Sequence, residues 1–331
     1  MQADKAGTVA ELLLLTDAMG RRTHGLAMVP LYLAEMAKGK LRGSGEPTVV
    51  SQRGVCLVWD GQYLPGLWLA RRAVDTLRPL VAEHGLAALA VRRSHHIGSL
   101  ATVQTLATDL GLVAFVATSD PASARMAPFG GTQAVFTPNP FGIGYPGGDH
   151  PVLVDISSTI TTTSMTRQKF AAGEKFDQAW LLDAQGRATR DPAVLEHSEP
   201  RGSLLPVGGM DHGHKGYGLS LMVEALTQGL SGHGRQDAPG HWGGNFFIQL
   251  FDADFFAGRE AFVAQMDHTG GLCRASAPID PAKPVRVPGD QAAASLQAAQ
   301  SEGIAYAEPA WKAIAEWAQR LGVALPVPRS A

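Results

Sequence analysis

The chain has 331 residues, 28 basic and 30 acidic side chains, and a formal net charge of −2. This balance argues against binding nucleic acid through a basic surface. The 45% share of hydrophobic residues excludes a disordered chain. The 38 glycines and 21 prolines favour many turns and a site built from loops.

The cellular compartment is predicted from the cysteines and from the lack of membrane-span and secretion signals. Cys56 and Cys273 have no metal-ligand spacing, and two thiols in a chain of this size fit a reducing environment better than a disulfide. No apolar run reaches the ~18 residues of a membrane span. A basic segment followed by an apolar one is missing from the N-terminus, so secretion is not expected. We therefore expect a cytoplasmic protein.

The first half alternates predicted helices and strands, which is typical of α/β packing. The predicted helices cover residues 7–42 with a turn at 20–23, residues 67–82, and a segment after Gly98 that ends at Leu110. The predicted strands cover residues 48–60, 86–91 and 112–118.

The second half continues with fewer strong signals. Strands are predicted for residues 152–156, 179–182 and 245–251. Helices are predicted for residues 219–230, 255–266, 291–302 and 311–321. Residues 165–203 are polar and rich in turns.

The glycine-rich stretch from Gly208 to Gly218 precedes an apolar helix and carries Lys215. Backbone N–H groups and the positive end of a helix dipole make such a loop suitable for an anion, and glycines let a phosphate approach closely. The other interpretation is a tight loop under a core helix with an exposed lysine. The local sequence leaves both open.

Two histidine motifs are candidates for proton transfer. His95 and His96 follow a predicted strand, at a junction where α/β proteins often place function. The alternative is a helix-capping pair. His24 lies in a turn beside Gly25 and is either a ligand-facing group or a cap.

Other chemistries have weaker support. His212, His214, His233 and His241 could contribute to a zinc site, or lie in solvated loops. Ser94, Ser119 and Ser157 lack the Gly-x-Ser-x-Gly context of a hydrolase nucleophile. Residues 142–147 match Gly-x-Gly-x-x-Gly, but Pro146 and the following glycines forbid the helix that a dinucleotide fingerprint must open.

Several motifs together resemble, in order and spacing, the malate/L-lactate dehydrogenase family over residues 8–322. That family also contains ureidoglycolate and sulfolactate dehydrogenases and reductases of cyclic imine carboxylates. The motifs are Thr23-His24-Gly25, Ser94-His95-His96-Ile97-Gly98, Ala127-Pro128-Phe129-Gly130-Gly131, Asn139-Pro140, Asp155-Ile156-Ser157, Leu205-Pro206-Val207-Gly208-Gly209, His214-Lys215-Gly216-Tyr217-Gly218 and Val287-Pro288-Gly289-Asp290.

The resemblance implies an α/β (α+β) fold that binds NAD or NADP without a Rossmann domain. An NAD(P)-binding domain with a mixed or antiparallel sheet would occupy residues 61–264. Residues 1–60 and 265–331 would form a discontinuous helical domain. The resemblance also implies a homodimer and a small carboxylate substrate, with neither nucleic acid nor membrane as a partner.

The resemblance further assigns roles to individual residues. His96 is similar to the family's general base, which takes the proton from a 2-hydroxy acid as hydride leaves for the nicotinamide. His24, Tyr32 and Ser119 match substrate-side positions. The cofactor contacts that the resemblance implies are Asp155, Ile156, Ser157, Lys215, Gly216, Gly289, Asp290 and Gln291. No metal is implied.

The chain also departs from the family. An arginine common four residues after the first-motif histidine, suited to binding a carboxylate, is replaced by Met28. Arg92, Arg93 and Arg125 are candidate substitutes. Thr137-Pro138 replaces the usual Gly-Thr, and the chain starts about one helix late. We predict a dehydrogenase of 2-hydroxy or 2-keto acids; the alternatives are a cyclic imine carboxylate reductase and a catalytically impaired nucleotide-binding homologue.

Overall fold

The structure, a computed structural model, describes residues 1–326. Its strands are β1 (Thr48–Arg53), β2 (Cys56–Asp60), β3 (Leu86–Ser94), β4 (Val113–Ser119), β5 (Phe141–Tyr145), β6 (Val152–Ile156), β7 (Leu181–Leu182), β8 (Ala188–Thr189), β9 (Ser203–Leu204) and β10 (Gly244–Phe251). Its helices are α1 (Ala3–Ala18), α2 (Val29–Ala37), α3 (Gly66–His84), α4 (Leu100–Thr108), α5 (Thr163–Ala171), α6 (Ala193–Glu196), α7 (Gly209–His212), α8 (His214–Glu224), α9 (Arg259–Ala275), α10 (Asp290–Glu302) and α11 (Glu308–Leu321).

Seven strands form one sheet in the order β1-β2-β3-β10-β4-β5-β6, and β8-β7-β9 form a small second sheet. Only β2 and β3 pair in parallel within the large sheet; its other pairs are antiparallel. The predicted mixed α/β sheet is therefore confirmed. Because of these directions, β2, β3, β4 and β6 all end at one edge, where β5 and β10 begin. This carboxyl edge brings distant segments of the chain together.

Helices α3 and α4 pack on the large sheet, and α1 packs on α3. The main core joins apolar side chains of these helices to those of β2, β3, β4 and β10. Two glycines of β5 leave room for close neighbours: a Cβ on Gly142 would lie 1.8 Å from the Val154 oxygen of β6 and 2.8 Å from Gln104 Nε2 of α4, and one on Gly144 would lie 2.6 Å from the Gln104 Cβ. The Gly-x-Gly sequence at residues 142–144 thus lies in strand β5 and does not open a helix, in agreement with the sequence analysis, which rejected a dinucleotide fingerprint here.

The terminal helices pack against the N-terminal ones: α10 contacts α1, and α11 contacts α2. Strands β1 and β2, which the predicted division assigns to the helical part, are hydrogen-bonded members of the large sheet. The two-domain division stays a prediction, and residues 327–331 of its second segment lie outside the described residues. None of the described helices is long and apolar enough to cross a membrane.

Several predicted boundaries differ from the structure. The predicted helix at residues 7–42 is two helices, α1 and α2, with a short 3-10 turn at Leu26–Met28. The predicted helix at residues 219–230 begins earlier, at His214, and ends in a π turn at Ala225–Gly229. Helix α5 was not predicted; the Thr162 hydroxyl caps it by accepting the Met165 N–H at 3.1 Å.

Candidate active site

The carboxyl edge carries most of the predicted site. His95 and His96 follow β3, Ser119 ends β4, and Asp155 and Ile156 end β6. The chain leaves β3 through a left-handed residue, Arg93 with φ of 51°. The Asn245 side-chain oxygen accepts the Arg93 N–H at 3.0 Å and holds this bend. The predicted site residues at the ends of β3, β4 and β6 therefore share one edge of the sheet.

His96 lies among aromatic groups. Tyr32 Oη lies 2.7 Å from His96 Nδ1, and the Gly98 N–H approaches the same nitrogen at 3.3 Å. The imidazole is flanked by two nearly parallel rings, His24 at 5.8 Å and Trp242 at 5.2 Å between centroids. Within residues 1–326, Nε2 has no hydrogen-bond partner. The ring is thus fixed through Nδ1 and presents Nε2 to a ligand.

Burial holds the pKa of His96 well below its ordinary value, and positive charge on His24 or His95 would lower it further. The imidazole is therefore neutral near pH 7 and can accept a proton. Burial raises the pKa of the Tyr32 phenol, so that the group stays protonated. To act as a base through Nε2, a neutral His96 must keep its proton on Nδ1, where Tyr32 Oη accepts it and no lone pair remains for the Gly98 N–H. In the other tautomer, Tyr32 and Gly98 both donate to Nδ1.

His95 lies behind this pair and is buried. Its ring meets Tyr32 edge-on at 5.4 Å and Trp242 edge-on at 4.8 Å. Burial lowers the pKa of His95 to about 4, so this ring is also neutral. His95 therefore packs edge-on against the Tyr32 and Trp242 rings and holds both beside His96.

Ser119 is 3% exposed, and its hydroxyl is fully engaged. Thr227 donates its own proton to the Val223 oxygen at 2.7 Å, so Ser119 must donate to Thr227 Oγ1 at 2.7 Å. Gln228 Nε2 donates to Ser119 Oγ at 3.0 Å. The hydroxyl thus connects the π turn at residues 225–229 to β4. Turns of this π type are frequent at functional sites. A direct substrate contact by Ser119 stays a prediction.

The Asp155 carboxylate is also engaged. Its Oδ2 accepts from Arg21 Nη1 at 3.0 Å, Ser99 Oγ at 3.0 Å and Ala101 N at 3.1 Å. It therefore caps the positive end of α4 and anchors Arg21. The adjacent Ile156 is 48% exposed at the strand end. An exposed isoleucine there offers an apolar surface to a flat ring of a ligand.

Lys215 lies exposed in the first turn of α8, which contains no acidic residue. A cation at the positive end of a helix costs ~0.3–1 kcal/mol unless an anion is close. Gly216 packs so tightly that a Cβ would lie 2.3 Å from the Val207 nitrogen and 2.5 Å from the Ser158 oxygen. Gly216 is thus packed on the backbone of Ser158, which follows Ser157 in sequence. A contact of Lys215 with the cofactor stays a prediction.

The remaining predicted cofactor contacts lie elsewhere. Gly289 has φ of 111° and packs against the Pro151 oxygen, at the end of β6 opposite to Ile156. Asp290 accepts from Arg274 at 3.0 and 2.6 Å, which lowers the pKa of that carboxyl to about 2. Gln291 donates to Ser295 Oγ at 3.3 Å. Their role at the cofactor stays a prediction.

The candidate substitutes for the missing arginine are bound to Asp60 or lie beside the small sheet. Met28 packs against the main core. Arg92 and Arg93 both donate to the Asp60 carboxylate. Arg125 hydrogen-bonds through its backbone to Phe136 and neighbours the small sheet.

The structure also bears on the other chemistries. In the part of the chain that is described, no three His, Cys, Asp or Glu side chains are arranged to hold a metal ion. Ser94 and Ser157 donate to the carbonyl oxygens of His95 and Thr159. None of the three serines considered as nucleophiles, Ser119 included, is hydrogen-bonded to an imidazole in the described residues.

Two residues at the site were not predicted. Trp242 reaches His96 only because β10 inserts between β3 and β4, which no local sequence signal reveals. Arg21 had a local signal, two arginines directly before Thr23-His24, but its ion pair with Asp155 depends on the fold.

Comparison with known proteins gives consistent results. The family model for malate/L-lactate dehydrogenase matches residues 1–315. An L-lactate dehydrogenase of Cupriavidus necator is 30% identical over 98% of this chain and 93% of its own. A delta(1)-pyrroline-2-carboxylate reductase of Ancylobacter novellus is 28% identical over 91% of this chain and 87% of its own. The crystal structure of a dehydrogenase from Sinorhizobium meliloti is 32% identical, with a TM-score of 0.81 over 96% of this chain and 91% of its own.

These matches confirm the prediction of a nicotinamide-dependent oxidoreductase for 2-hydroxy acids at the level of the family. They extend over nearly the whole chain, as the motifs do. The chain belongs to the malate/L-lactate dehydrogenase family.

Proposed function

We propose that His96 exchanges the proton in a hydride transfer between NAD or NADP and a small 2-hydroxy acid of the malate or lactate type. The observation that carries this proposal is the ring's placement: Nδ1 is held by Tyr32 at 2.7 Å, while Nε2 is unpartnered within residues 1–326. A general base needs this combination of fixed orientation and free lone pair.

When bound, the cofactor supplies the hydride acceptor or donor. His96 Nε2 accepts the proton of the substrate hydroxyl in the oxidative direction. The imidazolium formed then donates from Nδ1 to Tyr32 Oη, which stabilises its charge. In the reductive direction the same imidazolium protonates the substrate oxyanion. His24, His95 and Trp242 surround the imidazole and limit the access of water.

The other roles belong to the same proposal. His24, Tyr32 and Ser119 lie on the substrate side, with Ser119 acting through the π turn that it anchors. Ile156, Ser157, Lys215 and Gly216 border the cofactor. The close packing of Gly216 on the oxygen of Ser158, the residue after Ser157, supports this role. Asp155, Gly289, Asp290 and Gln291 complete the cofactor contacts that the family resemblance implies.

The proposal includes a homodimer in the cytoplasm. Leu221 and Met222 are exposed on α8, close to Lys215, and exposed apolar side chains of this kind support a subunit interface. The free thiols of Cys56 and Cys273 fit a reducing compartment. Light scattering on the purified protein tests the dimer.

A substrate screen tests the function. Purified protein is incubated with NADH or NADPH and with pyruvate, oxaloacetate or a cyclic imine carboxylate, and the cofactor absorbance is followed. Consumption with a 2-keto acid is the expected result. Consumption with the cyclic imine alone would establish the alternative function, which the similarity to a pyrroline-2-carboxylate reductase favours. Cofactor binding without any turnover would indicate an impaired homologue.

A further inference from the structure

We propose that Arg21 binds the carboxylate of the substrate, taking the place of the arginine that Met28 replaces. This inference rests on the proposed function, because a 2-hydroxy acid brings a carboxylate next to the carbon that reacts at His96. A buried or half-buried carboxylate requires a cationic partner.

The usual position cannot supply that partner. Met28 is uncharged and packs against the main core. Arg92 and Arg93 share the buried Asp60 carboxylate. Arg125 lies beside the small sheet, where its carbonyl oxygen accepts the Leu204 N–H at 2.8 Å, so a cation in the turn that carries His24 is the better candidate.

Arg21 lies in the same turn as His24: the His24 N–H donates to the Arg21 carbonyl at 3.0 Å. The His24 ring is 5.8 Å from the His96 ring. The pKa of His24 is lowered chiefly by burial; the charge of Asp155 opposes this shift and the charge of Arg21 adds to it. The guanidinium is thus close to the imidazoles that border the reacting carbon.

Arg21 is anchored at one nitrogen and free at the others. Nη1 donates to Asp155 at 3.0 Å, and the side chain remains 34% exposed. A guanidinium has five N–H donors, so one edge can still bind a carboxylate through two parallel hydrogen bonds. Within the described residues, the Nε and Nη2 donors of Arg21 have no other partner.

Asp155 orients Arg21 without cancelling its attraction for an anion. The carboxylate also accepts from Ser99 and from the Ala101 N–H at the positive end of α4. Its charge is therefore shared among three donors. Residues 99–101 directly follow the segment of His96 and Gly98, so one rigid stretch fixes both the base and the partner of Arg21. A substrate held at its carboxylate by Arg21 and at its hydroxyl by His96 has a defined orientation.

The test compares a 2-keto acid with its methyl ester on Arg21→Gln, Arg21→Lys and Arg22→Gln. Arg22 is the matched control: an exposed arginine next in sequence, which has no hydrogen bond to Asp155. We expect Arg21→Gln to raise KM for the acid by about 10- to 100-fold, because a charge-assisted pair with the substrate carboxylate is lost. KM for the ester, which has no carboxylate, should change little. Arg21→Lys keeps the charge but not the planar fork, so an intermediate increase is expected. Arg22→Gln should retain the wild-type preference.

The outcomes separate the two proposals. If the wild-type protein turns over neither acid nor ester, the proposed function fails. If it turns over the acid and Arg21→Gln keeps the wild-type preference for acid over ester, only the Arg21 inference is overturned. An equal increase in KM for the acid in Arg22→Gln would likewise overturn it, since the effect would then come from the overall positive charge of the turn. Should Arg21→Gln not fold, as thermal unfolding would reveal, Arg21→Lys decides: an unchanged KM for the acid refutes the inference.

Discussion

Replacing Tyr32 by phenylalanine tests whether the hydroxyl–imidazole contact serves the reaction. Tyr32 is buried, and within residues 1–326 its hydroxyl has one hydrogen-bond partner, His96 Nδ1 at 2.7 Å. The substitution keeps the ring that meets His95 edge-on, so packing should change little. It leaves Nδ1 with only the Gly98 N–H at 3.3 Å, which cannot accept a proton from the imidazolium.

The expected loss follows from the charge that develops on His96. A hydrogen bond to a charged group contributes about 1.5–3 kcal/mol, against about 0.5–1.5 kcal/mol for a neutral pair. The substitution lowers kcat/KM only by the difference between these two contributions, about 1–1.5 kcal/mol, so at about 1.4 kcal/mol per decade kcat/KM for oxidation should fall about 5- to 12-fold. Folding stability should fall by only about 1 kcal/mol, because the neutral pair is what the resting protein loses.

The assay measures kcat/KM for oxidation against pH in both proteins, with urea unfolding as the control for stability. The pKa of His96 is well below 6.5, so the acidic limb of the wild-type profile should lie below that pH. Losing an acceptor for Nδ1–H should lower this pKa further and move the limb to more acidic pH in Tyr32→Phe. Unchanged kcat/KM with an unchanged limb would refute the role given to Tyr32.

Two further predictions concern the cofactor side and stability. Lys215→Ala should weaken NAD(P) binding by about tenfold while kcat at saturating cofactor changes little, because the lysine contributes charge at the pyrophosphate; calorimetry measures this, and unchanged affinity contradicts it. Asp290→Asn should destabilise the protein by up to about 2 kcal/mol near pH 7, since Arg274 lowers the pKa of Asp290 from near 4 to about 2. A lowered pKa stabilises above about pH 4, and that contribution is lost as pH falls toward 2, so mutant and wild type should converge in acid. Arg274 is 43% exposed, so solvent screens the ion pair and about 2 kcal/mol is an upper value. Asp280→Asn, at a 49% exposed aspartate, is the control, and equal destabilisation by the two substitutions would contradict the prediction.

Local sequence signals predicted the regular elements well. The strand at residues 152–156 was predicted with its observed bounds, and the helix at residues 67–82 differs from α3 by one or two residues at each end. Strand β5 escaped prediction because Gly142 and Gly144 suggest a loop. Both glycines instead make room for Gln104 of α4, and Gly142 also for the Val154 backbone of β6, which are tertiary effects.

The site was predictable only in part, because motifs give residue types and not mutual placement. His96 could be singled out at a strand end, yet its contacts with Tyr32 and Trp242 depend on the insertion of β10 into the sheet. The same holds for Asp155, whose carboxylate caps α4 and binds Arg21. The sequence indicated a polar strand end there but not that its charge was already engaged.

The central claim is that His96 exchanges the proton of the substrate. The most direct measurement is hydride transfer by His96→Ala under single-turnover conditions, together with the dissociation constant of the cofactor. We expect a rate at least about 100-fold below wild type, the usual contribution of a positioned general base, with cofactor affinity unchanged. A near-native rate in the variant would refute the role of His96 and place the base on another residue.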